Sequence, residues 1–300
     1  MKRVSLLLAS LALPTAALAQ TVDVQTATGE TTAPTEPQTV VAFDLAAIDA
    51  LDALGVTLAG VPDIAPPASL ADAMDGVPTV GTLFEPDFEE LAVMAPDLII
   101  AGGRSQTQVE PLSAVAPTLD MTIDGTDLIG QAKDRVTAYG AIFGQEEEAE
   151  ALNTELTEAL AQGREVTAEA GGALIVMTNG GKISAYGDDS RFGWLHTDLG
   201  LTEAYPDLTA EDHGESISFE FIAEVNPDWI LVVDRGAAIG RDGEAAAVTL
   251  DNPLVAGTTA GENDQIVYLD SAPLYLAGGG PRSLMGTIQT VVDAMDQSGD

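Results

Sequence analysis

Apolar residues follow two kinds of spacing along this 300-residue chain. Short, continuously apolar runs such as "TVVA" at 39–42 and "LIIA" at 98–101 predict buried strands, and their lack of alternation is typical of parallel sheets. Between such runs lie segments with apolar residues at helical spacing, for example the segment that ends at Gly55. Alternating strands and helices predict an α/β fold with parallel sheets.

The pattern changes character at several points, which divides the chain. Residues 20–37 are rich in Thr and Pro without a period, so they are interpreted as a disordered leader. We expect an N-terminal lobe over 38–143, a long interdomain helix over 144–170 and a C-terminal lobe over 171–300. Within the last lobe, the segment "ISAYGDDSRFG" is interpreted as a loop entering a helix.

One helix–strand unit occurs twice. "FEELAVMAPDLIIAGGR", from Phe88 to Arg104, matches "FEFIAEVNPDWILVVDR", from Phe219 to Arg235, at a constant offset of 131 with seven identities. Each copy places an apolar run before a terminal arginine. The duplication predicts two similar lobes, with a cleft between them beyond the carboxyl ends of the strands.

The first nineteen residues resemble a cleavable secretory signal peptide. Lys2 and Arg3 precede a short apolar core, and Ala17 and Ala19 form a small-x-small cleavage site. The core is too short to span a bilayer, and no later stretch is long enough. Because the chain has no cysteine, neither a lipid anchor nor a disulfide is possible. We expect an exported protein without membrane insertion.

Charge narrows the possible partners. The chain has a net charge of −37, and removal of residues 1–19 leaves nine basic and 48 acidic residues, a net charge of −39. This balance argues against nucleic acid or an anionic membrane as the partner. Lys133, Arg135 and Arg164 lie in the helical segment and are expected to be solvated surface charges.

Signatures of enzymes are missing from the sequence. There is no Walker loop, no G-x-S-x-G elbow and no H-E-x-x-H motif, and His196 and His213 are the two histidines. His196 lies in an apolar helix and is expected to be structural. A periplasmic hydrolase of an anionic substrate remains the alternative from a different class. Such an enzyme would need a nucleophile beside a base.

Three arginines provide the positive evidence. Arg104 and Arg235 end the two copies of the repeat, and Arg191 lies in a loop before a helix, so all three are predicted to face the cleft. Arginine stays charged and donates several hydrogen bonds at once, which suits an anionic ligand. The alternative for each is an internal salt bridge to a nearby carboxylate. The candidate carboxylates are Asp188, Asp189 and Asp234.

Several dispersed segments carry a specific resemblance, among them "FDLAAIDALDALGV", "VGTLFEPDFEEL", "PDLIIAGGR", "GDDSRFGWLHTDLG", "HGESISFEFIAEVNPDWILVVDR" and "LYLAGGG". Over residues 38–297 the chain resembles the periplasmic binding proteins for ferric siderophores, especially the catecholate type. The resemblance implies a class III fold with two Rossmann-like lobes and a rigid connecting helix. It also implies a periplasmic, monomeric, non-enzymatic protein that delivers its ligand to the permease and ATPase of an ABC importer.

The resemblance also assigns roles to residues. It implies that Arg104, Arg191 and Arg235 grip the anionic iron complex. In similar proteins that accept tetradentate siderophores, a histidine and a tyrosine complete the iron coordination, and these match His213 and Tyr275. Fe(III) prefers oxygen donors and accepts imidazole, which agrees with that assignment. No resident cofactor is expected, since the iron belongs to the ligand.

Two further expectations rest on the same resemblance. Glu89 and Glu220 occupy equivalent positions in the repeat, and similar proteins dock on their permease through one acidic residue per lobe. Some relatives have a lysine shortly after the first arginine, whereas this chain has "RSQTQ", and Arg282 is a candidate substitute or a cap at the cleft edge. Other ligands remain open: a hydroxamate or citrate complex of iron, haem or a corrinoid.

Overall fold

The computed structural model describes residues 20–124, 127–208, 214–241 and 243–297. The predicted signal peptide at 1–19 and the predicted iron ligand His213 both lie outside the described residues. Within the described ranges, no helix combines the length and the apolar character that crossing a membrane requires.

Strands in the described ranges are short, and most of them are buried. They are β1 (Thr21–Thr26), β2 (Gly29–Pro34), β3 (Val40–Ala42), β4 (Leu98–Ala101), β5 (Thr118–Asp120), β6 (Gly172–Asn179), β7 (Lys182–Tyr186), β8 (Thr202–Glu203), β9 (Glu215–Ile217), β10 (Trp229–Asp234) and β11 (Ile266–Tyr268). The central strands β4, β6 and β10 are almost wholly apolar, as burial on both faces requires.

Helices separate most of these strands. They are α1 (Leu45–Ala53), α2 (Ala71–Met74), α3 (Phe88–Met94), α4 (Val109–Leu112), α5 (Leu128–Phe143), α6 (Glu146–Thr167), α7 (Trp194–Thr197), α8 (Phe219–Val225), α9 (Arg235–Ala238), α10 (Ala246–Thr249), α11 (Pro253–Ala256), α12 (Thr259–Glu262), α13 (Ser271–Leu276) and α14 (Pro281–Asp296). Two 3-10 turns, Ala68–Leu70 and Gly103–Gln108, complete the helical segments of the described chain.

The N-terminal sheet is parallel, in the order β3-β4-β5. Isolated parallel bridges from Val41 to Gly60 and from Val61 to Thr79 continue it beyond β3. Together with the helices around it, this sheet confirms the predicted α/β class. It also brings the carboxyl ends of β3, β4 and β5 to the same edge, where Asp44, Gly102 and Thr122 follow.

The C-terminal sheet is mixed, which differs from the parallel sheet predicted. Its order is β11-β10-β6-β7-β9, with β8 beside β6; β10 is parallel to β6 and β11, whereas β7 is antiparallel to β6 and β9. Gly180 and Gly181 both have positive φ and form the tight turn between β6 and β7. The segment interpreted as a loop therefore begins as strand β7.

The prediction of a disordered leader at 20–37 is wrong. Strands β1 and β2 form an antiparallel hairpin with Thr21 opposite Pro34. Val24 and Ala33 are buried in the core of the N-terminal lobe, and Ala27 N–H donates to the carbonyl of Asp120 at 2.9 Å. In β1, Val22 and Val24 alternate with polar residues, which suits a strand, and packing on the lobe supplies the burial that local composition could not reveal.

Arg135 is a second correction, because it is buried rather than solvated. Only 5% of its surface is exposed, and its guanidinium donates to three main-chain carbonyls, those of Gln25 at 3.1 Å, Thr122 at 3.0 Å and Met121 at 3.4 Å. The side chain thereby ties the hairpin to the segment that follows β5. Burial is tolerated since each of the three guanidinium nitrogens donates a hydrogen bond.

Two helices connect the lobes. In α6, Ala149 and Leu152 belong to the N-terminal core, whereas Leu156 and Leu160 belong to the C-terminal core. Helix α14 packs along α6 and against α1 as well. The long helix predicted from polar composition is therefore continuous across both cores.

The sequence repeat is also a structural repeat. Helices α3 and α8 begin after the capping residues Asp87 and Ser218, whose side chains accept main-chain N–H groups. Both end at a residue in the left-handed conformation, Ala95 with φ 48° and Asn226 with φ 49°. The strands that follow, β4 and β10, are interior strands with a hydrogen-bonded neighbour on each side.

Candidate functional site

The three predicted arginines converge on one residue, Tyr275 of α13. Arg104 and Arg191 each donate from Nη2 to the main-chain carbonyl of Tyr275, at 3.1 and 3.0 Å. Arg235 donates from Nε to the Tyr275 hydroxyl at 3.0 Å. Their guanidinium carbons lie 4.7, 4.4 and 5.9 Å from the centre of the tyrosine ring. The structure thus brings Arg104, Arg191, Arg235 and Tyr275 together.

A tight glycine turn projects Arg104 from the end of β4. A Cβ on Gly102 would lie 2.8 Å from the Thr122 nitrogen, and Gly103 has φ +52°. Gly103 N–H donates to Thr122 Oγ1 at 3.1 Å, while Ser105 Oγ hydrogen-bonds the Gly102 main chain at 3.0 Å. Larger residues could not follow this path, so "GGR" is a structural requirement for placing the arginine.

Arg191 is held by a compact loop before α7. Ser190 Oγ donates to the Gly187 carbonyl at 2.6 Å, and Phe192 N–H donates to Ser190 Oγ at 3.3 Å. A Cβ on Gly193 would lie 1.9 Å from the Asp188 carbonyl oxygen, so only glycine fits there. The Arg191 guanidinium lies 5.1 Å from the Phe192 ring centre.

Arg235 begins α9, directly after β10. Asp234 caps this helix by accepting Ala237 N–H at 3.0 Å, and it also accepts Ala246 N–H at 2.8 Å. Both hydrogen bonds occupy the carboxylate that was the alternative partner for Arg235. The arginine is left to contact Tyr275 and, at 3.4 Å, Asn179 Oδ1.

No carboxylate neutralises these arginines among the described residues, where the ion pair found is Arg282 with Asp52. The alternative of internal salt bridges to Asp188, Asp189 or Asp234 is therefore not what the structure shows. Three arginines without a carboxylate partner in the described part of the chain favour an anionic ligand at this site. Arg282, the predicted substitute cation, instead joins α14 to α1 through Asp52 and is not among the residues that line the cavity.

Charge in the cluster alters two proton affinities. For Tyr275, burial alone would raise the pKa, but the hydrogen bonds and charges of the surrounding arginines outweigh it, and the pKa falls below 10.0. For Arg191, desolvation and the nearby Arg104 lower the pKa. The site thus favours negative charge at the phenol oxygen.

A cavity of about 510 Å³ opens beside Arg104 and Arg191 and is lined from both lobes, whereas Arg235 is not among its lining residues. Arg104, Leu83 and Asp44 line it from the N-terminal lobe, and Arg191, Trp194 and Tyr275 line it from the C-terminal lobe. Trp194 is buried, and its Nε1 has no hydrogen-bond partner among the described residues.

Sequence reasoning missed Asp44 as part of this cavity. Asp44 caps α1 by accepting Ala46 N–H at 3.2 Å, and it follows β3 at the same sheet edge as Gly102. Burial raises its pKa to about 6, against the lowering effects of the Ala46 hydrogen bond and Arg135. An acidic residue directly after a buried strand and before a helix was the available signal.

The remaining predicted residues lie elsewhere. Glu89 and Glu220 are exposed at the starts of α3 and α8, and for Glu220 a hydrogen bond to its own main chain and one from Ser218 lower the pKa. His196 is buried with Nδ1 2.9 Å from the Leu201 carbonyl, as expected for a structural histidine.

Comparison with known proteins identifies similar chains. A family model described as "Periplasmic binding protein" matches residues 40–273. Petrobactin-binding protein YclQ of Bacillus subtilis is 35% identical over 271 residues, covering 89% of this chain and 85% of the relative. Its crystal structure matches with a TM-score of 0.86, covering 92% of this chain and 99% of that one.

Two Vibrio proteins are also similar. Ferric-anguibactin-binding protein FatB of Vibrio anguillarum is 31% identical over 273 residues, covering 88% of this chain and 84% of the relative. The structure of the periplasmic catecholate-siderophore binding protein VctP of Vibrio cholerae has a TM-score of 0.83 at 31% identity, covering 91% of this chain and 99% of that one.

Proposed function

The chain belongs to the periplasmic binding protein family, and from that premise we propose that it captures a ferric catecholate-type siderophore in its cleft and delivers it to an ABC importer. One observation carries the proposal. Arg104, Arg191 and Arg235 converge on Tyr275 beside a cavity of about 510 Å³, and no carboxylate pairs with them among the described residues.

Arginines in this arrangement suit a ligand with several anionic oxygens. Each guanidinium is planar and permanently charged, so it forms strong hydrogen bonds to catecholate oxygens. The whole chain is strongly acidic, with a formal net charge of −37, which makes this cluster a local positive focus. VctP is named for a catecholate siderophore, and YclQ and FatB are named for petrobactin and ferric anguibactin, which supports a ligand of this kind.

Tyr275 is proposed to ligate the iron when the siderophore supplies four oxygens. Fe(III) is a hard ion that favours anionic oxygen, and the surrounding arginines already favour the phenolate by lowering the Tyr275 pKa. His213 is proposed as the second protein ligand, on the basis of its sequence motif. If Tyr275 and His213 ligate the iron, each should contribute more to the binding of tetradentate siderophores than to the binding of hexadentate ones.

Delivery is proposed to use Glu89 and Glu220. They are exposed at equivalent positions of the two repeat units, one in each lobe, so they can contact two equivalent sites on a permease. We propose a periplasmic monomer as the working form, with a permease and its ATPase as partners.

A fluorescence titration tests ligand capture. The chain has two tryptophans, of which Trp194 lines the cavity, whereas Trp229 is buried and donates to the Ala170 carbonyl at 3.0 Å. Adding the ferric complex of a tetradentate bis-catecholate should quench the emission, and Trp194→Phe should remove most of that quenching.

The same titration separates the alternatives. Ferric hydroxamate and ferric citrate complexes serve as competitors, and the iron-free bis-catecholate is the matched ligand control. Absence of quenching by the ferric bis-catecholate would overturn the proposed ligand class. Preferential quenching by ferric citrate or hydroxamate would replace it with that chelate.

A further inference from the structure

An exposed aromatic patch, consisting of Phe84 and Phe88, lies beside one of the proposed docking glutamates. Phe84 is 59% exposed in the loop before α3, and Phe88, the first residue of α3, is 40% exposed. Most large apolar side chains of the described chain are buried in its cores. Two exposed phenylalanines within five residues are a feature that burial in the monomer does not explain.

The loop that bears Phe84 is tightly hydrogen-bonded. Thr82 N–H donates to the Glu85 carbonyl at 2.9 Å, and Thr82 Oγ1 accepts Glu85 N–H at 3.0 Å. Gly81 has φ +91°, and a Cβ there would lie 2.4 Å from the Asp87 nitrogen. The loop therefore holds Phe84 away from the core, and little further ordering is needed when a partner binds.

Negative charge surrounds the aromatic patch. Glu85, Glu89 and Glu90 are all exposed close to it in the chain. No lysine or arginine occurs between residues 4 and 103, so no neighbouring basic residue in this part of the sequence neutralises them. A complementary partner surface would have an apolar depression rimmed by basic side chains.

The same loop also reaches the ligand cavity. Leu83 is 5% exposed and lines the cavity, and the next residue in the chain is Phe84. A partner that holds Phe84 is therefore placed beside the cleft of the N-terminal lobe. This position suits a partner that receives the ligand.

The C-terminal lobe does not repeat the aromatic patch. At the offset of 131, Phe84 corresponds to Glu215 of β9, and Phe88 corresponds to Phe219, which packs against the core of that lobe. The glutamates are duplicated, but Phe84 and Phe88 have no exposed aromatic counterparts at the equivalent positions. The C-terminal lobe instead has Tyr205, which is 36% exposed and lies 5.1 Å from Phe221 between ring centres, so the two ends of the docking surface carry different aromatic groups.

We propose that Phe84 and Phe88 insert into an apolar depression, rimmed by basic residues, on the permease of the importer and so fix the orientation in which the chain docks. This inference rests on the proposed function, namely delivery of a ligand to an ABC importer. In this proposal the glutamates of both lobes supply the electrostatic attraction to the permease. The aromatic patch selects one of the two possible docking orientations.

Binding to the importer tests the inference. The permease–ATPase complex that takes up ferric bis-catecholate in the source organism is reconstituted in nanodiscs, and the affinity of the full mature chain, loaded with ferric bis-catecholate, is measured. Phe84→Ser should weaken this affinity by about tenfold, as loss of a central apolar contact does. Val248→Ser is the matched control, since Val248 is 62% exposed on the other lobe.

Chelate binding by each variant, followed by tryptophan quenching, separates the two proposals. Unchanged quenching with weakened importer affinity supports the aromatic patch as a docking element. Importer affinity within about twofold of the unsubstituted chain for Phe84→Ser, while Glu89→Gln weakens it, would overturn the role of the patch. An equal loss for Val248→Ser would also overturn it. Failure of the unsubstituted chain to bind the chelate would instead defeat the proposed function.

Discussion

Tyr275 organises the site at the scale of single residues. Its carbonyl accepts one hydrogen bond from each lobe, from Arg104 and from Arg191, and its hydroxyl accepts a third from Arg235. One residue thereby holds three like charges close together without a carboxylate partner among the described residues. An anion bound here would relieve their mutual repulsion, so the arrangement is suited to binding an anionic ligand.

Substitution of each arginine tests this arrangement. Arg104→Ala, Arg191→Ala or Arg235→Ala should each weaken binding of ferric bis-catecholate by about 1.5–3 kcal/mol, because each removes charge-assisted hydrogen bonds. Tryptophan quenching provides the dissociation constants. Arg164→Ala is the control, since Arg164 is an exposed cation of α6 whose Nε donates to the Asp198 carbonyl. If all three variants bind as the control does, the ligand lies outside this cleft.

At the scale of elements, the N-terminal hairpin and α5 form a support for the cleft. Arg135 of α5 holds the carbonyls of Gln25, Met121 and Thr122, and Thr122 Oγ1 in turn accepts Gly103 N–H beside Arg104. A continuous set of hydrogen bonds therefore joins the hairpin to the turn that projects a ligand-binding arginine. The first strands of the chain help to position the site without touching the cavity.

Removal of the Arg135 guanidinium should destabilise the protein substantially. Arg135→Met keeps much of the apolar volume but leaves buried carbonyl oxygens without donors, so the free energy of unfolding should fall by about 2–4 kcal/mol. Urea denaturation of the chelate-free protein measures this. Lys133→Met, two residues earlier on a less buried face of α5, should change it by less than about 1 kcal/mol. Equal effects would show that the carbonyl contacts contribute little.

At the scale of the whole molecule, α14 fastens the C-terminal lobe to the N-terminal one. Asp49 of α1 is only 1% exposed and accepts Ser283 N–H of α14 at 2.9 Å. Close by, Arg282 pairs with Asp52. Burial raises the pKa of Asp49 from 3.8 to about 6, whereas Ser283 and Arg282 lower it and Asp52 raises it further.

The burial of Asp49 at this contact predicts a pH-dependent stability. Because the folded state binds the Asp49 proton more tightly than the unfolded state, the contribution is complete below pH 3.8 and is lost as pH rises through about 6. Relative to Asp49→Asn, the free energy of unfolding should fall by about 2–3 kcal/mol between pH 3.8 and pH 7. Urea denaturation of the unsubstituted protein and of Asp49→Asn across this range measures the difference. Asp44, whose pKa is also raised to about 6, is present in both proteins, so its contribution cancels. Parallel pH profiles would show that Asp49 has an ordinary pKa.

Patterns local in sequence were enough for much of the fold and the site. Continuously apolar runs predicted the central strands β4 and β10, and the repeat predicted that Arg104 and Arg235 leave equivalent strand ends. The α/β class is confirmed, and the structure brings Arg104 and Arg235 to the same tyrosine. These features depend on residue type and spacing, which the sequence displays directly.

Tertiary structure alone decided what depends on distant partners. Residues 20–37 have a composition typical of disorder, yet Val24 and Ala33 find a surface to pack on, and Arg135 finds three carbonyls from two separate segments. In the same way, the fold places Asp44 in the lining of the cavity and pairs Arg282 with Asp52, away from that lining. Burial and hydrogen-bond partners belong to the assembled molecule, so no local pattern could supply them.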